Sequence, residues 1–162
     1  MLNREPISII GSGVVGQATG IGLHTHSHDV VFFDINKKKL QDLRERGYTT
    51  AETPYEAVKR SNVSMISVCT PTTDGHIDLT YLKTAVAGVA KALKRKKTYH
   101  LIVIRSTVLP YTTRRVVIPI LEQQSGLKTG KDFGLCMNPE FLRGAYANED
   151  FLNPPIIVIG EY

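Results

Sequence analysis

The sequence of 162 residues predicts an α/β fold, with a doubly wound, mostly parallel sheet and helices on both faces. Short apolar, strand-like runs alternate with helix-like segments along almost the whole chain, as in βαβ units with right-handed crossovers. The run from Val63 to Cys69 is almost wholly apolar, as expected for a strand covered on both faces. The length suits a single domain, residues 1–162, with one sizeable core.

In the first half of the chain, each predicted helix is bounded by turn residues. Gly47 ends the second helix, and Pro54 occupies the first position of the third. Gly20 and Gly22 keep one side of the first helix thin, which favours close packing on a sheet. The predicted elements are strand 7–10, helix 14–24, strand 30–33, helix 36–46, edge strand 48–51, a helix from Pro54, and strand 63–69.

The second half continues the alternation of strands and helices. Asp78 is a good N-cap for a helix with an apolar stripe, and Pro119 predicts a boundary or kink in the next helix. The predicted elements are a turn-rich loop 70–78, a helix carrying apolar residues 79–93, strand 99–104, a helix from Thr112 or Thr113 to Gln124, a polar linker 125–132, strand 133–137 and strand 156–159.

The turn after the first strand has the glycine spacing of a dinucleotide-binding fingerprint. Gly11 allows the tight turn, Gly13 leaves room for a pyrophosphate against the backbone, and Gly16 lets the helix lie close to the sheet. The free N–H groups of the first helical turn, which holds Val14 and Val15, would face the anion. A plain strand–turn–helix is the alternative, but the flanking strand and helix favour a dinucleotide site.

The acid at the end of the second strand selects the cofactor. Asp34 lies 18 positions after Gly16, where a carboxylate accepts hydrogen bonds from an adenosine ribose. Because a carboxylate repels a 2′-phosphate, NAD is favoured over NADP. The nearby Lys37, Lys38 and Lys39 weaken this preference, since lysines neutralise phosphate.

Polar residues follow three later strands at their carboxyl ends, where open parallel sheets bind ligands. Each Ser or Thr alone is more often a turn or cap residue, but three groups at one edge favour a site. With the glycine turn and Asp34, they are predicted to ring one crevice. These groups are Thr70-Pro71-Thr72, Ser106-Thr107 and Asn138-Pro139-Glu140.

Glu140 is the main candidate for acid–base chemistry. Beside a bound nicotinamide, with Thr107 next to it, this carboxylate is able to hold a water and act as general base. The alternative is a helix N-terminal carboxylate that satisfies free N–H groups. The residues alone favour neither of these two interpretations of Glu140.

Composition argues against several other classes of protein. The net charge is +5, but its densest cluster, Lys94–Lys97, is interpreted as a solvated helix end rather than a nucleic-acid surface. No apolar run approaches about 18 residues, so no membrane span is expected. The first strand begins too near Met1 for a signal peptide, which predicts a cytoplasmic protein.

The histidines and cysteines predict no metal site and no disulfide. His24, His26 and His28 lie in a short connection without an acid or cysteine cluster beside them. Cys69 and Cys136 are far apart, follow apolar runs, and are expected to be reduced and buried.

Four motifs in order resemble the N-terminal NAD-binding domain of the UDP-glucose/GDP-mannose dehydrogenase family. They span Ile7 to Gly160, and the last two are more specific than the first. The motifs are the glycine turn with Asp34 and Lys39; Cys69-Thr70-Pro71-Thr72 with Asp74-Gly75 and Asp78-Leu79; Ser106-Thr107-Val108 with Thr112-Thr113; and Asn138-Pro139-Glu140-Phe141-Leu142-Arg143 with Asp150-Phe151-Leu152.

The resemblance implies NAD-dependent oxidation of the C6 alcohol of a UDP- or GDP-linked sugar to a carboxylate, in two hydride transfers. Glu140 matches a carboxylate linked to water activation and thioester hydrolysis, and Phe141, Leu142 and Arg143 match a segment that lies along the substrate. The positions matched around NAD are Gly11 to Gly16, Asp34, Lys39, Thr72 and Thr107.

The chain also departs from the family pattern. Gly144 stands where the family usually has an acid near the cofactor, and Tyr111 stands where the family usually has glycine, so a different backbone is expected there. Neither cysteine lies in the family's nucleophile motif, which belongs to a second half that this sequence lacks, so negligible activity is expected of the chain alone.

Three functions follow, and oligomeric state is left open. The first is the NAD-binding domain of a nucleotide-sugar 6-dehydrogenase. The second is a stand-alone NAD-binding module with a sensing or partner role. The third, a 3-hydroxyacid type of dehydrogenase, is disfavoured by Asn138-Pro139-Glu140.

Overall fold

A computed structural model describes residues 4–161 and confirms the predicted α/β architecture. Seven strands form one sheet in the order β3-β2-β1-β4-β7-β8-β9, and β5 and β6 form a separate hairpin. The strands are β1 (Ile7–Ile10), β2 (Val30–Phe33), β3 (Thr49–Thr50), β4 (Val63–Ile66), β5 (Thr72–Thr73), β6 (His76–Ile77), β7 (Leu101–Ile104), β8 (Gly134–Met137) and β9 (Gly160–Glu161). The α-helices are α1 (Val14–Thr25), α2 (Lys37–Glu45), α3 (Pro54–Lys59), α4 (Thr80–Leu93), α5 (Ile118–Ser125) and α6 (Ala147–Leu152).

The sheet is parallel except at one edge. Within it, β1 pairs with β2 on one side and with β4 on the other, so that Ile7 lies opposite both Val30 and Val63. The chain winds outward in both directions from this point, which makes the carboxyl ends of β1 and β4 the topological switch point. The exception is β9, which pairs antiparallel with β8.

Helices cover both faces, as predicted. Because neighbouring strand residues point to opposite faces, Ile10 and Phe33 join the core under α3, α4 and α5, whereas Ile9 and Phe32 join the core under α1 and α2. The first core is the larger among the described residues. It holds Leu82, Val86, Val89 and Leu93 of α4 and Leu121 of α5.

The glycines of α1 permit the close packing predicted for them. A Cβ at Gly20 would lie 2.3 Å from the ring of Phe32 in β2. A Cβ at Gly22 would lie 2.1 Å from the ring of Phe151, which α6 brings against α1. Both positions therefore trade helix propensity for close contact.

Three predicted elements differ from the structure in detail. The strand predicted to reach Cys69 ends at Ile66. The predicted loop 70–78 contains the hairpin β5–β6, whose turn residues Asp74 and Gly75 both have positive φ, as Asp-Gly turns require. The predicted helix from Thr112 or Thr113 begins with a π-helical turn at Thr113–Val117 and becomes α-helical at Ile118, beside Pro119.

The last predicted strand is wrong in position. Residues 156–159 are exposed and form no strand, and pairing begins only at Gly160. Pro154 and Pro155 precede them, and the carbonyl of Val158 accepts a hydrogen bond from the Asn138 side chain at 2.7 Å instead. Apolar patterning does not form a strand where no neighbouring strand offers backbone partners.

A polar network is buried near the amino ends of the strands. The Oγ of Ser8 lies 2.6 Å from that of Ser64, which lies 2.8 Å from His100 Nε2. Lys96 Nζ lies 3.0 Å from His100 Nδ1 and also donates to the carbonyls of Val58 and Ser61. The prediction of a solvated Lys94–Lys97 cluster is therefore wrong for Lys96. Burial, with the neighbouring Lys96 charge, lowers the pKa of His100 to about 3.

Candidate functional site

A cavity of about 210 Å³ lies at the carboxyl ends of β1, β4 and β7, where the sequence predicts the site. The glycine turn forms one wall, and the segments after β4, β7 and β8 form the others. The structure thus brings together residues from three of the predicted groups and the glycine turn. The lining residues are Gly13, Val14, Val15, Ser67, Val68, Cys69, Thr70, Arg105, Ser106, Thr107 and Glu140.

The three glycines of the turn differ in their surroundings. Gly11 has φ +98°, and a Cβ on Gly16 would lie 1.9 Å from the carbonyl oxygen of Gly11, so neither position tolerates a side chain. A Cβ on Gly13 would meet nothing within 4 Å. The backbone is therefore open at the position where a pyrophosphate needs room.

The amino end of α1 suits an anion. Its N-cap residue is Gly13, which makes no side-chain capping bond, and its first turn holds no acidic residue. The helix dipole and the first-turn N–H groups therefore face the cavity without a competing carboxylate. These features fit the diphosphate of a dinucleotide.

Asp34 lies at the end of β2, beside the glycine turn. Its Oδ2 accepts a hydrogen bond from the Ser12 N–H at 2.7 Å, and its Oδ1 accepts one from Asn36 N–H at 2.8 Å. Lys39 Nζ lies 3.6 Å from Oδ2. The carboxylate is buried and held in one orientation by these donors, and each oxygen retains acceptor capacity for a ribose hydroxyl.

The segment after β4 divides between the cavity and the hairpin. Thr70 lines the cavity, and its Oγ1 donates to the carbonyl of Thr107 at 2.7 Å, which ties the ends of two strands together. Pro71 and Thr72 lead into the exposed hairpin and are not among the lining residues. The structure therefore does not bring Pro71 and Thr72 together with the rest of the predicted site.

Ser106 and Thr107 follow β7 and have different surroundings. Ser106 is buried, and its Oγ donates to the carbonyl of Val68 at 2.6 Å. Thr107 is exposed and lines the cavity. Of these two residues, Thr107 is the one whose hydroxyl makes no hydrogen bond to the described part of the chain. Its carbonyl accepts from Thr70.

Four lining residues are not among the predicted site residues, namely Ser67, Val68, Cys69 and Arg105. Ser67 Oγ and Arg105 Nε are buried atoms without hydrogen-bond partners among the described residues. Of the five buried side-chain atoms without a partner among residues 4–161, these two lie at the same cavity. An arginine directly after a buried apolar strand was the available signal for Arg105.

Arg105 links the ends of β7 and β8. Its side chain is buried, with only 6% of the residue exposed, and its Nη1 donates to Asn138 Oδ1. Burial lowers the pKa of the Arg105 guanidinium, while the negative charge of Glu140 opposes that shift. Arg105 and Glu140 line this cavity and also a second one.

Glu140 lies in an irregular turn. Its Oε2 accepts a hydrogen bond from the Leu142 N–H at 2.7 Å. The next helical turn begins only at Gly144, so the interpretation of Glu140 as a helix N-terminal carboxylate is wrong. The side chain is half-buried at the wall of the cavity, which leaves it available for acid–base chemistry.

The second cavity, of about 220 Å³, lies next to the first and is mostly apolar. Phe141 and Leu142 line it, together with Pro154, Ile156 and Ile157. Its position beyond Glu140 puts the segment predicted to lie along a substrate beside an open apolar space.

The side chain of Arg143 is engaged within the chain. Its Nη2 donates to Asp150 Oδ1 at 2.7 Å, and its Nε and backbone N–H donate to Oδ2. The Arg143 side-chain hydrogen bond holds the pKa of Asp150 below its usual value. Arg143 thereby fixes α6 to the Glu140 segment.

The two departures from the family pattern lie in different surroundings. Tyr111 has φ +68°, a left-handed conformation that glycine adopts more easily than a residue with a Cβ, and a backbone different from that of the family stays a prediction. Gly144 lies in open space, where a Cβ would meet nothing within 4 Å.

The cysteines differ from the prediction in burial. Both are free thiols, but Cys69 is exposed at the cavity, whereas Cys136 is half-buried, and burial raises the pKa of its thiol. Among residues 4–161, no group of three or more His, Cys, Asp or Glu side chains is placed to hold a metal ion. No helix in that range is long and apolar enough to cross a membrane.

Comparison with known proteins agrees with this geometry. The sequence matches the NAD binding domain of the UDP-glucose/GDP-mannose dehydrogenase family over residues 5–54 and 44–162. It is 41% identical to the GDP-mannose 6-dehydrogenase of Pseudomonas savastanoi pv. phaseolicola, covering 96% of this chain and 40% of that protein. It is 38% identical to the UDP-glucose 6-dehydrogenase of Haloferax volcanii, covering 95% of this chain and 40% of that protein.

A solved structure gives the same result. The fold superposes on a ternary complex of GDP-mannose dehydrogenase from Pseudomonas aeruginosa with a TM-score of 0.89 and 37% identity, covering 99% of this chain and 41% of that one. The chain thus spans about 40% of the length of the relatives it matches. Motifs, fold and similarity agree, and the chain belongs to the UDP-glucose/GDP-mannose dehydrogenase family, in which it corresponds to the NAD-binding domain.

Proposed function

We propose that this chain is the NAD-binding part of a nucleotide-sugar 6-dehydrogenase, which oxidises the C6 alcohol of UDP-glucose, GDP-mannose or a related sugar nucleotide to the carboxylate. The observation that carries the proposal is the cavity shared by the glycine turn, Thr107 and Glu140. The glycine turn, proposed to bind the nucleotide, and the candidate base Glu140 both line it. A cytoplasmic location and a single unit over residues 1–162 belong to the same proposal.

The residues proposed to hold NAD lie along one edge of the sheet. Gly13 and the N–H groups of Val14 and Val15 bind the diphosphate, for which Gly11 and Gly16 shape the backbone. Asp34 accepts hydrogen bonds from the adenosine ribose, and Lys39 orients that carboxylate. Thr70, Pro71, Thr72, Ser106 and Thr107 are proposed to complete the cofactor site.

The proposed chemistry places Glu140 and Thr107 at the reacting end. NAD, when bound, accepts hydride from the substrate carbon. Glu140 takes a proton from a water that Thr107 helps to position. The oxygen of that water attacks the carbonyl carbon of the substrate thioester, and the sulfur of the nucleophilic cysteine, which belongs to sequence outside this chain, leaves as the thiolate. Phe141, Leu142 and Arg143 are proposed to lie along the sugar nucleotide.

Most substrate contacts and the nucleophilic cysteine are assigned to sequence that this chain does not contain. A nucleophile and an aligned substrate account for many kcal/mol of barrier lowering in enzymes of this kind, of the order of 7–11 kcal/mol for alignment alone. We therefore expect negligible NAD reduction by the isolated chain with any sugar nucleotide.

Calorimetric titration of the chain with NAD and with NADP tests the cofactor site. We expect NAD to bind more tightly, because Asp34 repels a 2′-phosphate. Tighter binding of NADP would refute the role of Asp34.

A fusion tests the reaction. The chain is joined to the part of the Pseudomonas savastanoi relative that follows the matched region, and NAD reduction is followed with GDP-mannose and with UDP-glucose. We expect reduction with one of them by the fusion and none by the Glu140→Gln fusion. A folded fusion that binds NAD but reduces no NAD with either sugar nucleotide would favour a stand-alone NAD-binding module instead.

A further inference from the structure

Glu140 needs a fixed position if it is to act as a base, yet its own turn is irregular. The hydrogen bond that it accepts comes from Leu142, only two residues away, and one such local bond does not by itself hold the turn in a single conformation. The anchor must come from groups that contact neighbouring strands. Two residues before Glu140, Asn138 makes such contacts.

Asn138 is tied on both sides. Its backbone N–H donates to the carbonyl of Ile104 at 2.9 Å, and its Nδ2 donates to the carbonyl of Val158 at 2.7 Å. Its Oδ1 accepts from Arg105 Nη1. Since a primary amide has one acceptor oxygen, the guanidinium fixes which way the amide faces.

Arg105 is itself rigid. Its backbone N–H donates to the carbonyl of Ile66 at 2.9 Å, its side chain is buried, and its Cζ lies 6.0 Å from the centroid of the Phe151 ring. A buried cation is costly without a counter-charge, and the carboxylate that acts on it is Glu140. The Arg105 Nε has no partner among the described residues.

We propose that Arg105 is a positioning residue for Glu140, holding the Asn138–Glu140 turn through the Asn138 side chain and attracting the Glu140 carboxylate to the wall between the two cavities. This inference rests on the proposed function, since it gives Arg105 a purpose in that site. It makes a claim about geometry, however, that the chain tests without substrate or cofactor.

The amide of Leu142 reports on Glu140, because its N–H donates to Glu140 Oε2. The amide of Ser12 is a matched internal control, because its N–H donates to the carboxylate of Asp34 at a comparable 2.7 Å. Amide exchange rates of both are measured by NMR in the 162-residue chain. A loss of global stability accelerates both amides, whereas a loss of positioning accelerates only one.

We expect Arg105→Gln to accelerate Leu142 exchange about tenfold and to leave Ser12 exchange unchanged. Arg105→Lys, which keeps the charge and a donor, should remain within about threefold of the parent for Leu142. Arg95→Gln removes an exposed guanidinium that stacks on Tyr55, and should change neither amide.

Three results would overturn the proposal: an unchanged Leu142 rate in Arg105→Gln, equal acceleration of Leu142 and Ser12, or an Arg105→Lys variant as fast as Arg105→Gln. If Arg105→Gln does not fold, Asn138→Ala removes the acceptor while keeping the buried guanidinium, and the same selective acceleration is expected. The readout uses the apo chain, so failure to bind NAD would count against the proposed function but not against the effect of Arg105 on the position of Glu140.

Discussion

The two ends of the central strands both carry polar side chains, but they use them differently. Near the amino ends, a chain of hydrogen bonds joins the buried Ser8, Ser64 and His100 and continues to the half-buried Lys96. At the carboxyl ends, Ser67 Oγ and Arg105 Nε have no hydrogen-bond partner within residues 4–161, and Gly13 faces open space. Residue type does not separate a structural cluster from a binding site. A structural cluster differs from a binding site in that its polar groups already form hydrogen bonds with each other.

The largest expected effect on stability comes from His100, in the hydrogen-bonded cluster near the amino ends of the strands. Its pKa is lowered to about 3 in the folded chain, from an ordinary value of 6.5. As pH falls below 6.5, the unfolded chain takes up this proton first, so stability is complete above 6.5 and is lost as the pH falls toward 3. Each pH unit in this window lowers the free energy of unfolding by up to about 1.4 kcal/mol.

Urea unfolding at neutral pH and at about pH 4 measures this effect, which should total on the order of 3 kcal/mol. His100→Gln keeps a donor and an acceptor in place but does not titrate, and it should lose less stability than the parent over the same range. Equal losses in the two proteins would show that the hydrogen-bonded cluster does not govern acid sensitivity.

At the carboxyl ends of the strands, substitutions at two glycines of the same turn should affect stability and NAD binding differently. Gly16→Ala puts a methyl group 1.9 Å from the Gly11 carbonyl oxygen and should lower the free energy of unfolding by roughly 2 kcal/mol. Gly13→Ala has space and should cost less than about 1 kcal/mol, yet weaken NAD binding at least tenfold because its methyl group occupies the diphosphate space.

Thermal unfolding and calorimetric NAD titration of both glycine variants check this pair. If Gly13→Ala bound NAD as well as the parent, the space above Gly13 would not be the diphosphate site.

Asp34 sharpens the comparison, because it is buried like most of the hydrogen-bonded cluster but keeps acceptor capacity for a ligand. Asp34→Asn retains an oxygen for only one of the Ser12 and Asn36 N–H groups and turns an amide donor toward the other, so it should lower the free energy of unfolding by about 1–3 kcal/mol. It should weaken NAD binding about tenfold, since one charge-assisted hydrogen-bond acceptor is lost, and narrow the preference over NADP. Parallel titrations with NAD and NADP measure both effects, and an unchanged ratio of the two affinities would contradict this account.

The smallest expected effect on stability is at Tyr111, which follows β7 and has a strained backbone. Its φ of +68° is costly for a side chain with a Cβ, and the residue is exposed. Tyr111→Gly removes this strain and should raise the free energy of unfolding by up to about 1 kcal/mol. Two contributions reduce the gain: the unfolded chain has greater freedom, and the contact of the ring with Arg115 is lost. Tyr111→Ala keeps the strain and is the control; denaturation of all three proteins tests it.

The sequence by itself determined the local parts of this protein. The glycine turn, the apolar strands 7–10 and 30–33, and Pro54 at the first position of α3 depend on neighbouring residues, and the structure has each where predicted. The same is true of the close approach at Gly20 and Gly22, since a thin helix side has few other purposes. The predicted N-cap Asp78 is wrong by one position, since Leu79 is the N-cap and Asp78 Oδ1 accepts from the Thr80 N–H at 2.8 Å.

Only the tertiary structure decided which polar groups meet. It brought the half-buried Lys96 to His100, placed Arg105 against Asn138, put Thr72 into a hairpin and left residues 156–159 outside the sheet. These outcomes depend on which strand ends become neighbours and on the backbone groups that remain for pairing. Contacts between residues distant in the chain carry no local pattern, so spacing and composition do not reveal them.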